Sequence, residues 1–179
     1  MGIRASATAE IIFEDCFVPD SALVGKEGRG FMIAMQTLQM SRPVVAAISV
    51  GIAQAAIEAA VAYSHHRKQF GVKIATFEMV QQMIADMVMK TEAARILTYK
   101  ACVAQMNKDK KAGLYSAMSK CFASDTAMEV TTTAVQVMGG NGYSRENPVE
   151  KYMRDAKIMQ IYEGTNQIQR LVIANEATF

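Results

Sequence analysis

The chain has 179 residues, of which 51% are hydrophobic, and this length allows one sizeable core and favours one main domain. Nineteen basic and seventeen acidic residues leave a formal net charge of +2. Because no basic block or interleaved aromatic platform accompanies that small charge, we expect no nucleic-acid partner.

Three cysteines stand far apart and never in a C-x-x-C pattern: Cys16, Cys102 and Cys121. This usage is typical of neither a disulfide framework nor a zinc site, and it favours a reducing compartment. The N-terminus has no basic patch followed by an apolar run, so we expect no secretory signal. The apolar stretch 44–63 is long enough to span a membrane, but Gln54 and Glu58 interrupt it, which favours a core helix.

Residues 1 to about 25 differ in composition from the rest of the chain. The β-branched and aromatic run at 11–13 is followed by acids, Pro19 and Gly25, which predicts one strand leading into a surface turn. A single strand is not stable alone, so this segment either adds an edge to another sheet or ends a sheet whose other strands lie outside this sequence. The segment "GKEGRG", 25–30, departs from the G-x-G-x-x-G signature and predicts a flexible loop.

From Gly30 onward the pattern predicts helices. Residues 31–40 and 44–66 are rich in Ala, Met, Ile and Val, and Pro43, which lacks an amide donor, must start a new helix or kink a continuous one. We therefore expect a break near Ser41. Residues 67–76 predict a loop, and Thr76 is a candidate N-cap for a helix from 77 to about 108.

The second half of the chain predicts three more helices, at about 114–138, 149–157 and 165–176. Small and apolar residues form one stripe along the first of them: Ala117, Cys121, Ser124, Met128, Thr131, Val135 and Met138. The segment "GGNG", 139–142, ends that helix, because glycine adopts the left-handed conformation without steric cost. Long helices with short connectors predict an all-α fold, an antiparallel four-helix bundle preceded by one short strand.

Residue patterns exclude two common kinds of active site. His65 and His66 are adjacent, so on a helix they point about 100° apart and cannot bind one metal together. No H-E-x-x-H pattern occurs, and we expect no metal site. No serine stands in a G-x-S-x-G elbow, so the sequence does not predict a hydrolytic triad.

One carboxylate, Glu163, stands in the otherwise acid-free segment "QIYEGTNQIQR", 160–170. An apolar pocket around it would make it a competent general base. The residues that could form this pocket are Met159, Ile161, Tyr162 and Ile168. Alternatively, Thr165 caps the last helix and Glu163 simply lies before the cap. The residues alone leave both interpretations open.

Seven segments together resemble the C-terminal part of an acyl-CoA dehydrogenase, in the same order and at similar spacing. They are "MGIRAS", "IIFEDCFVP", "GKEGRGF", "RKQFG", "QVMGGNGY", "PVEKYMRDAK" and "IYEGTNQIQRLVIA". The resemblance covers essentially the whole chain, and "SRPVVAA", 41–47, is most similar to medium- and short-chain members. It implies that residues 1–25 end a middle β-domain and that 26–179 form the C-terminal helical-bundle domain of a longer enzyme.

This resemblance implies a reaction and gives Glu163 the role of catalytic base. Glu163 would remove the α-proton of an acyl-CoA thioester while a hydride leaves the β-carbon for FAD, giving a trans-2-enoyl-CoA. The Glu163 amide would help to bind the developing enolate oxygen. Tyr162, Gly164 and Arg42 would contact the substrate. Some relatives carry the base at the position matching Ser41, where a serine cannot act as one.

The resemblance also implies FAD contacts from two subunits. Thr165, Asn166 and Gln167 match residues that touch the cofactor of the same subunit. The residues that match contacts to the cofactor of a neighbouring subunit are Arg67, Phe70, Gln136, Gly139 and Gly140. Two positions depart from the family pattern: Glu78 stands where a glutamine is usual near the flavin phosphates, and Gln39 replaces an aspartate near coenzyme A.

The partners implied by the resemblance are an acyl-CoA substrate, electron-transferring flavoprotein as electron acceptor, and three further copies of the chain in a homotetramer. The implied location is the cytoplasm of a prokaryote or the mitochondrial matrix. Two other functions stay open: a non-enzymatic helical module that only oligomerises, and a relative with reductive or decarboxylating acyl-CoA chemistry. We expect the 179-residue chain alone to bind little FAD and to be inactive.

Overall fold

The computed structural model describes residues 1–178 and is helical over most of its length. Its helices are α1 (Gly30–His66), α2 (Glu78–Met106), α3 (Ala112–Met138), α4 (Val149–Met159) and α5 (Asn166–Thr178). A two-stranded hairpin, β1 (Lys68–Gln69) and β2 (Val72–Lys73), separates α1 from α2. Helix α3 packs against each of the other four helices, and short connectors join α1 to α2 and α2 to α3. The predicted all-α bundle is confirmed.

Helix α1 continues through Pro43, so the predicted break near Ser41 is wrong. A proline at 43 leaves the carbonyl of Gln39 without its usual intrahelical donor. The side chain of Gln105, on α2, fills this place: its Nε2 donates to the Gln39 carbonyl at 3.2 Å. A contact between residues 66 positions apart therefore offsets the local penalty.

The predicted strand at 11–13 is absent from residues 1–178, where the segment is irregular and its side chains are exposed. No other strand lies beside it to complete a ladder, which is the physical reason that it stays unpaired. The first residues are nonetheless fixed to α4, since the Ile3 amide donates to Asp155 Oδ1 at 2.6 Å and Arg154 Nη1 donates to the Met1 carbonyl at 2.7 Å. That residues 1–25 end a β-domain stays a prediction.

Residues 67–76, predicted as a plain loop, contain the hairpin. Its turn places Phe70 and Gly71 at φ +51° and +82°, the pair of positive angles typical of a tight hairpin turn. Thr76 does not cap α2 as predicted: its hydroxyl donates to the Lys73 carbonyl at 2.7 Å, and the helix begins after Phe77 without a side-chain cap.

Small side chains bring α1 and α3 close together. Ala53, Ala56 and Ala60 on α1 and Ala127 and Ala134 on α3 are all buried in one apolar cluster. The stripe predicted along α3 is buried, with Met128 and Val135 half-buried and the other five members fully so. Its first half, at Cys121 and Ser124, contacts Asn166 on α5. Helix α1 is long and apolar enough to cross a membrane, but this face of it packs in the core.

The close approach of α1 and α3 gives a stability prediction. Ala60→Leu adds three carbons where no space is accessible and is expected to cost about 1–3 kcal/mol of unfolding free energy. Ala62→Leu, two residues further along the same helix and exposed, is the matched control and should change stability by less than about 0.5 kcal/mol. Urea unfolding of the three chains measures both values, and equal effects would contradict the packing described.

Candidate active site

Glu163 lies in the connector between α4 and α5, and its side chain faces α1. Its carboxylate Oε2 accepts a hydrogen bond of 2.7 Å from the hydroxyl of Ser41, which is 122 positions away in sequence. The side chain is half-buried. The fold thus brings together the position that the resemblance assigns to the base and the position that carries it in some relatives.

The predicted apolar pocket around Glu163 is wrong. Met159 is buried, but Ile161 and Ile168 are about half exposed, at 48% and 47%. Tyr162 is half-buried, and its hydroxyl donates to the Met159 sulfur at 2.8 Å. Glu163 and Gly164 both have positive φ, +55° and +87°, and this reversal of the chain cannot be read from helical periodicity.

Positive charge surrounds the Glu163 carboxylate instead. Arg42, the next residue after Ser41, is buried and interacts electrostatically with Glu163 and Glu176. Burial lowers the pKa of the Arg42 guanidinium, and these two carboxylates partly offset that effect. Within residues 1–178, Arg42 Nε has no hydrogen-bond partner although it is shielded from solvent. A buried donor of this kind is costly unless a further acceptor reaches it.

The structure adds Lys120, which the sequence analysis did not single out. This side chain lies on α3 with 0% exposure and donates to the Gly164 carbonyl at 2.9 Å and to Asn166 Oδ1 at 2.8 Å. Burial lowers the pKa of the ammonium group from 10.5 to about 8, against the raising effects of Asp125 and Glu163. The sequence could have indicated this residue. Position 120 lies on the stripe of small residues, between Ala117 and Ser124, and a lysine is unusual on a buried face.

Asn166 connects Lys120 to a second polar group. Its Nδ2 donates to Ser124 Oγ at 2.8 Å and to Asp125 Oδ1 at 2.7 Å. Burial tends to raise the pKa of Asp125, but hydrogen bonds from Arg170, Gln160 and Asn166 outweigh it, and the pKa is lowered. The side chain of Asn166 is therefore fully used inside the bundle.

Thr165 caps α5, as the alternative interpretation predicted. Its Oγ1 accepts from the Ile168 amide at 3.3 Å, and its carbonyl accepts from the Gln169 amide at 2.9 Å. Glu163 takes no part in this cap, because its carboxylate points to Ser41. The helix cap and the contact of Glu163 with α1 therefore occur together, on two different residues of the segment.

Residues matched to flavin contacts fall into two clefts. Arg67, Phe70, Gly139 and Gly140 line a cleft of about 460 Å³ beside the hairpin. A different cleft, of about 440 Å³ at the start of α5, is lined by Thr165, Asn166 and Gln167.

The three remaining positions lie outside these clefts. Gln136 is exposed on α3 and lines neither cleft. Glu78 is exposed at the start of α2 and does not line the hairpin cleft, and Gln39 lines a third cleft together with Gln105 and Glu176.

The hairpin cleft carries a glycine that the chain itself does not require. A Cβ added to Gly140 would meet no atom within 4 Å, and its φ is not in the left-handed region. Gly139 also has open space, but it needs glycine for its φ of +61° at the end of α3. Gly140 therefore leaves room for something outside the described chain.

Comparisons with known proteins agree on one family. The family model "Acyl-CoA dehydrogenase, C-terminal domain" matches residues 28–178. A probable acyl-CoA dehydrogenase of Mycobacterium tuberculosis is 55% identical over 97% of the chain and 45% of its own length. The mitochondrial short-chain specific acyl-CoA dehydrogenase of Mus musculus is 48% identical over 97% of the chain and 42% of its own length.

A solved structure, the butyryl-CoA dehydrogenase of Megasphaera elsdenii, superposes with a TM-score of 0.91 at 48% identity. The match covers 94% of this chain and 44% of that protein. The chain therefore spans less than half the length of the relatives that it matches.

The lowered pKa of Lys120 gives a prediction for stability against pH. Lys120 loses its proton near pH 8 in the folded chain and near 10.5 in the unfolded chain. Between these values the unfolded state binds more protons, so the stability contributed by Lys120 rises with pH, by up to about 3 kcal/mol. The cost of Lys120→Met should therefore grow between pH 7 and pH 10.5.

Urea unfolding of the wild-type and Lys120→Met chains over that pH range measures the difference. Thr131→Val, also on α3 and fully buried, removes a hydroxyl that bonds only to carbonyls of its own helix, and its cost should not depend on pH. A cost of Lys120→Met that stays constant with pH would contradict the prediction.

Proposed function

Since the chain belongs to the acyl-CoA dehydrogenase family, we propose that it is the C-terminal helical domain of an FAD-dependent acyl-CoA dehydrogenase. The reaction is the α,β-dehydrogenation of an acyl-CoA thioester to a trans-2-enoyl-CoA. The observation that carries the proposal is the Glu163 carboxylate, held at 2.7 Å by Ser41 at the point where α1 meets the connector before α5. An oligomerisation module would have no need of this contact.

Glu163 acts as the general base. Ser41 donates to Oε2, and within residues 1–178 no hydrogen bond reaches Oε1, so one carboxylate oxygen is oriented and the other can accept a proton. The α C–H bond breaks toward this oxygen, and its electron pair forms the new double bond as the β-hydrogen leaves with its own pair. FAD, when bound, accepts that hydride. The charges of Arg42 and Lys120 both interact electrostatically with this carboxylate.

The residues around Glu163 have separate roles in substrate binding. Gly164 is required by the chain itself, because a Cβ at its φ of +87° would lie 2.6 Å from Gln169 Nε2. This small residue also leaves its backbone open to a thioester. Tyr162 lines a cleft with Ile158, Ile161 and the first residues of the chain, and we assign this cleft to the acyl-thioester side. Arg42 offers an unpaired Nε to a substrate oxygen.

The two clefts suit two flavins shared between subunits. Arg67 supplies a permanent positive charge for a phosphate, and Gly140 leaves backbone access beside it. Thr165 and Gln167 lie in the other cleft, with Asn166 behind them as a structural support. Since one chain carries both sets, a homo-oligomer in which each flavin is contacted by two subunits accounts for both, and the family resemblance implies that this oligomer is a tetramer.

The proposed partners and location follow from the family. The substrate is an acyl-CoA, the electron acceptor is electron-transferring flavoprotein, and the location is the cytoplasm of a prokaryote or the mitochondrial matrix. The relatives include both a mycobacterial and a mitochondrial protein, which supports these two locations. A panel of acyl-CoA and enoyl-CoA substrates separates dehydrogenation from reductive or decarboxylating chemistry.

Glu163→Gln in the full-length flavoprotein tests the assignment of the base. The amide cannot accept the α-proton, so turnover should fall by about 10²–10⁴-fold while flavin content stays unchanged. Glu176→Gln is the matched control, since Glu176 also faces Arg42 but is exposed on α5, and its activity should stay within about twofold of the wild type. Wild-type turnover of Glu163→Gln would favour the helical oligomerisation module.

Flavin absorbance of the purified 179-residue chain gives a second test. The chain spans about 45% of the length of its relatives and exposes large apolar side chains such as Phe13 and Phe17 near its N-terminus. We propose that the wall against which the flavin ring packs corresponds to the part of the relatives that this chain does not match. The isolated chain should therefore contain much less than one FAD per subunit, and a stoichiometric yellow protein would refute this expectation.

A further inference from the structure

The backbone that presents Glu163 is held in a disfavoured conformation. Glu163 and Gly164 have successive positive φ angles, +55° and +87°. Glycine adopts such angles freely, but glutamate does not, because its Cβ crowds the neighbouring backbone. A strained residue of this kind persists only where the surrounding contacts keep it in place. The position of the proposed base therefore depends on what holds this turn.

Two side chains hold the turn by its carbonyl groups. The Gly164 carbonyl accepts from Lys120 Nζ at 2.9 Å and from Gln169 Nε2 at 3.0 Å, and Gln169 Nε2 also lies 3.2 Å from the Glu163 carbonyl. Gln169 belongs to α5, which follows the turn directly. Lys120 belongs to α3, the central helix, and so connects the turn to the body of the bundle.

Stability alone does not account for a lysine at this position. Its side chain is fully buried, and within residues 1–178 its ammonium group forms no salt bridge. Removing a charge from water without a direct counter-ion is costly, and an apolar residue of similar volume would pack without that cost. Both of its hydrogen bonds end on the segment that directly follows Glu163, one at the Gly164 carbonyl and one at the Asn166 side chain.

We propose that Lys120 is a positioning residue for the dehydrogenation, acting through the Gly164 carbonyl to fix the backbone of Glu163. This inference rests on the proposed function of Glu163. Ser41 orients the carboxylate from the side of α1, and Lys120 fixes the backbone from the side of α3. With Lys120 removed, the turn can relax toward ordinary φ angles and carry the carboxylate away from the substrate carbon. Misplacement by about 1 Å is enough to slow a reaction by about 10²-fold.

Single-turnover flavin reduction by acyl-CoA in the full-length flavoprotein tests this role. Lys120→Met keeps the length and volume of the side chain but removes both hydrogen bonds. We expect flavin reduction to slow by about 10-fold to 100-fold, with flavin content unchanged and KM for acyl-CoA within about threefold. Lys120→Gln has a side chain one bond shorter than lysine, so its amide nitrogen does not reach the Gly164 carbonyl, and flavin reduction should be slowed as well. This variant keeps a polar group in the site and serves as the test if Lys120→Met does not fold.

Val130→Ala is the matched structural control. Val130 lies on the same helix, is 1% exposed and does not contact the turn, so its truncation destabilises the bundle without moving Glu163. At a temperature where all variants are folded, this control should reduce flavin at the wild-type rate. Wild-type rates of flavin reduction in the Lys120 variants would overturn the inference. An equal decrease of this rate in Val130→Ala would overturn it as well.

Glu163→Gln measured in parallel separates the role of Glu163 as base from the positioning role of Lys120. If Glu163→Gln is inactive and the Lys120 variants reduce flavin normally, the base assignment stands and the positioning role is wrong. If Glu163→Gln is fully active, the proposed function itself fails and the positioning role fails with it.

Discussion

The hydrogen bond between Ser41 and Glu163 joins two parts of the chain that are 122 positions apart, and the geometry of the candidate site depends on it. It can form only if α1 passes the α4–α5 connector at a fixed distance. That distance is set by α3, which packs against both α1 and α5 and carries alanines at its contacts with α1. Packing far from the carboxylate therefore controls where the carboxylate lies.

Polar and apolar burial are separated along the bundle. The main apolar cluster extends from Ala53 to Ala60 on α1 and from Ala127 to Met138 on α3. Toward the connector, the same helices bury charged groups instead, Arg42 on α1 and Lys120 on α3. Buried charges of this kind cost stability. The destabilising buried charges therefore lie beside Glu163, and the stabilising apolar cluster lies at the other end of the same helices. This separation is expected where a functional site and a core share the same elements.

The sequence predicted the features that depend on neighbouring residues and missed those that depend on contacts between distant residues. Periodicity gave the helices and the buried stripe of α3, and glycine placed the end of α3. The continuity of α1 through Pro43 depends on a donor from Gln105 on another helix, which no window around the proline contains. Lys120 stood on a stripe of small residues and could have been noticed, but its acceptor, the Gly164 carbonyl, is fixed only by the fold. The role of Glu163 as base was reached only through the family resemblance, because the residue pattern left two interpretations open. Its hydrogen bond with Ser41 was not predicted.

The turn that carries the proposed base is held by contacts within the chain, whereas the clefts assigned to the flavin are open to the outside. Ser41, Lys120 and Gln169 all belong to this chain, so the contacts that hold the turn at Glu163 need no other domain or subunit. The hairpin cleft, by contrast, exposes the ring of Phe70 at 92% and leaves open space at Gly140. The Phe70 ring packs edge-to-face against Phe77, with ring centroids 6.3 Å apart, and turns the rest of its surface to the open cleft. The turn proposed to carry the base is therefore held by contacts inside the bundle, whereas the hairpin cleft lies open on its surface.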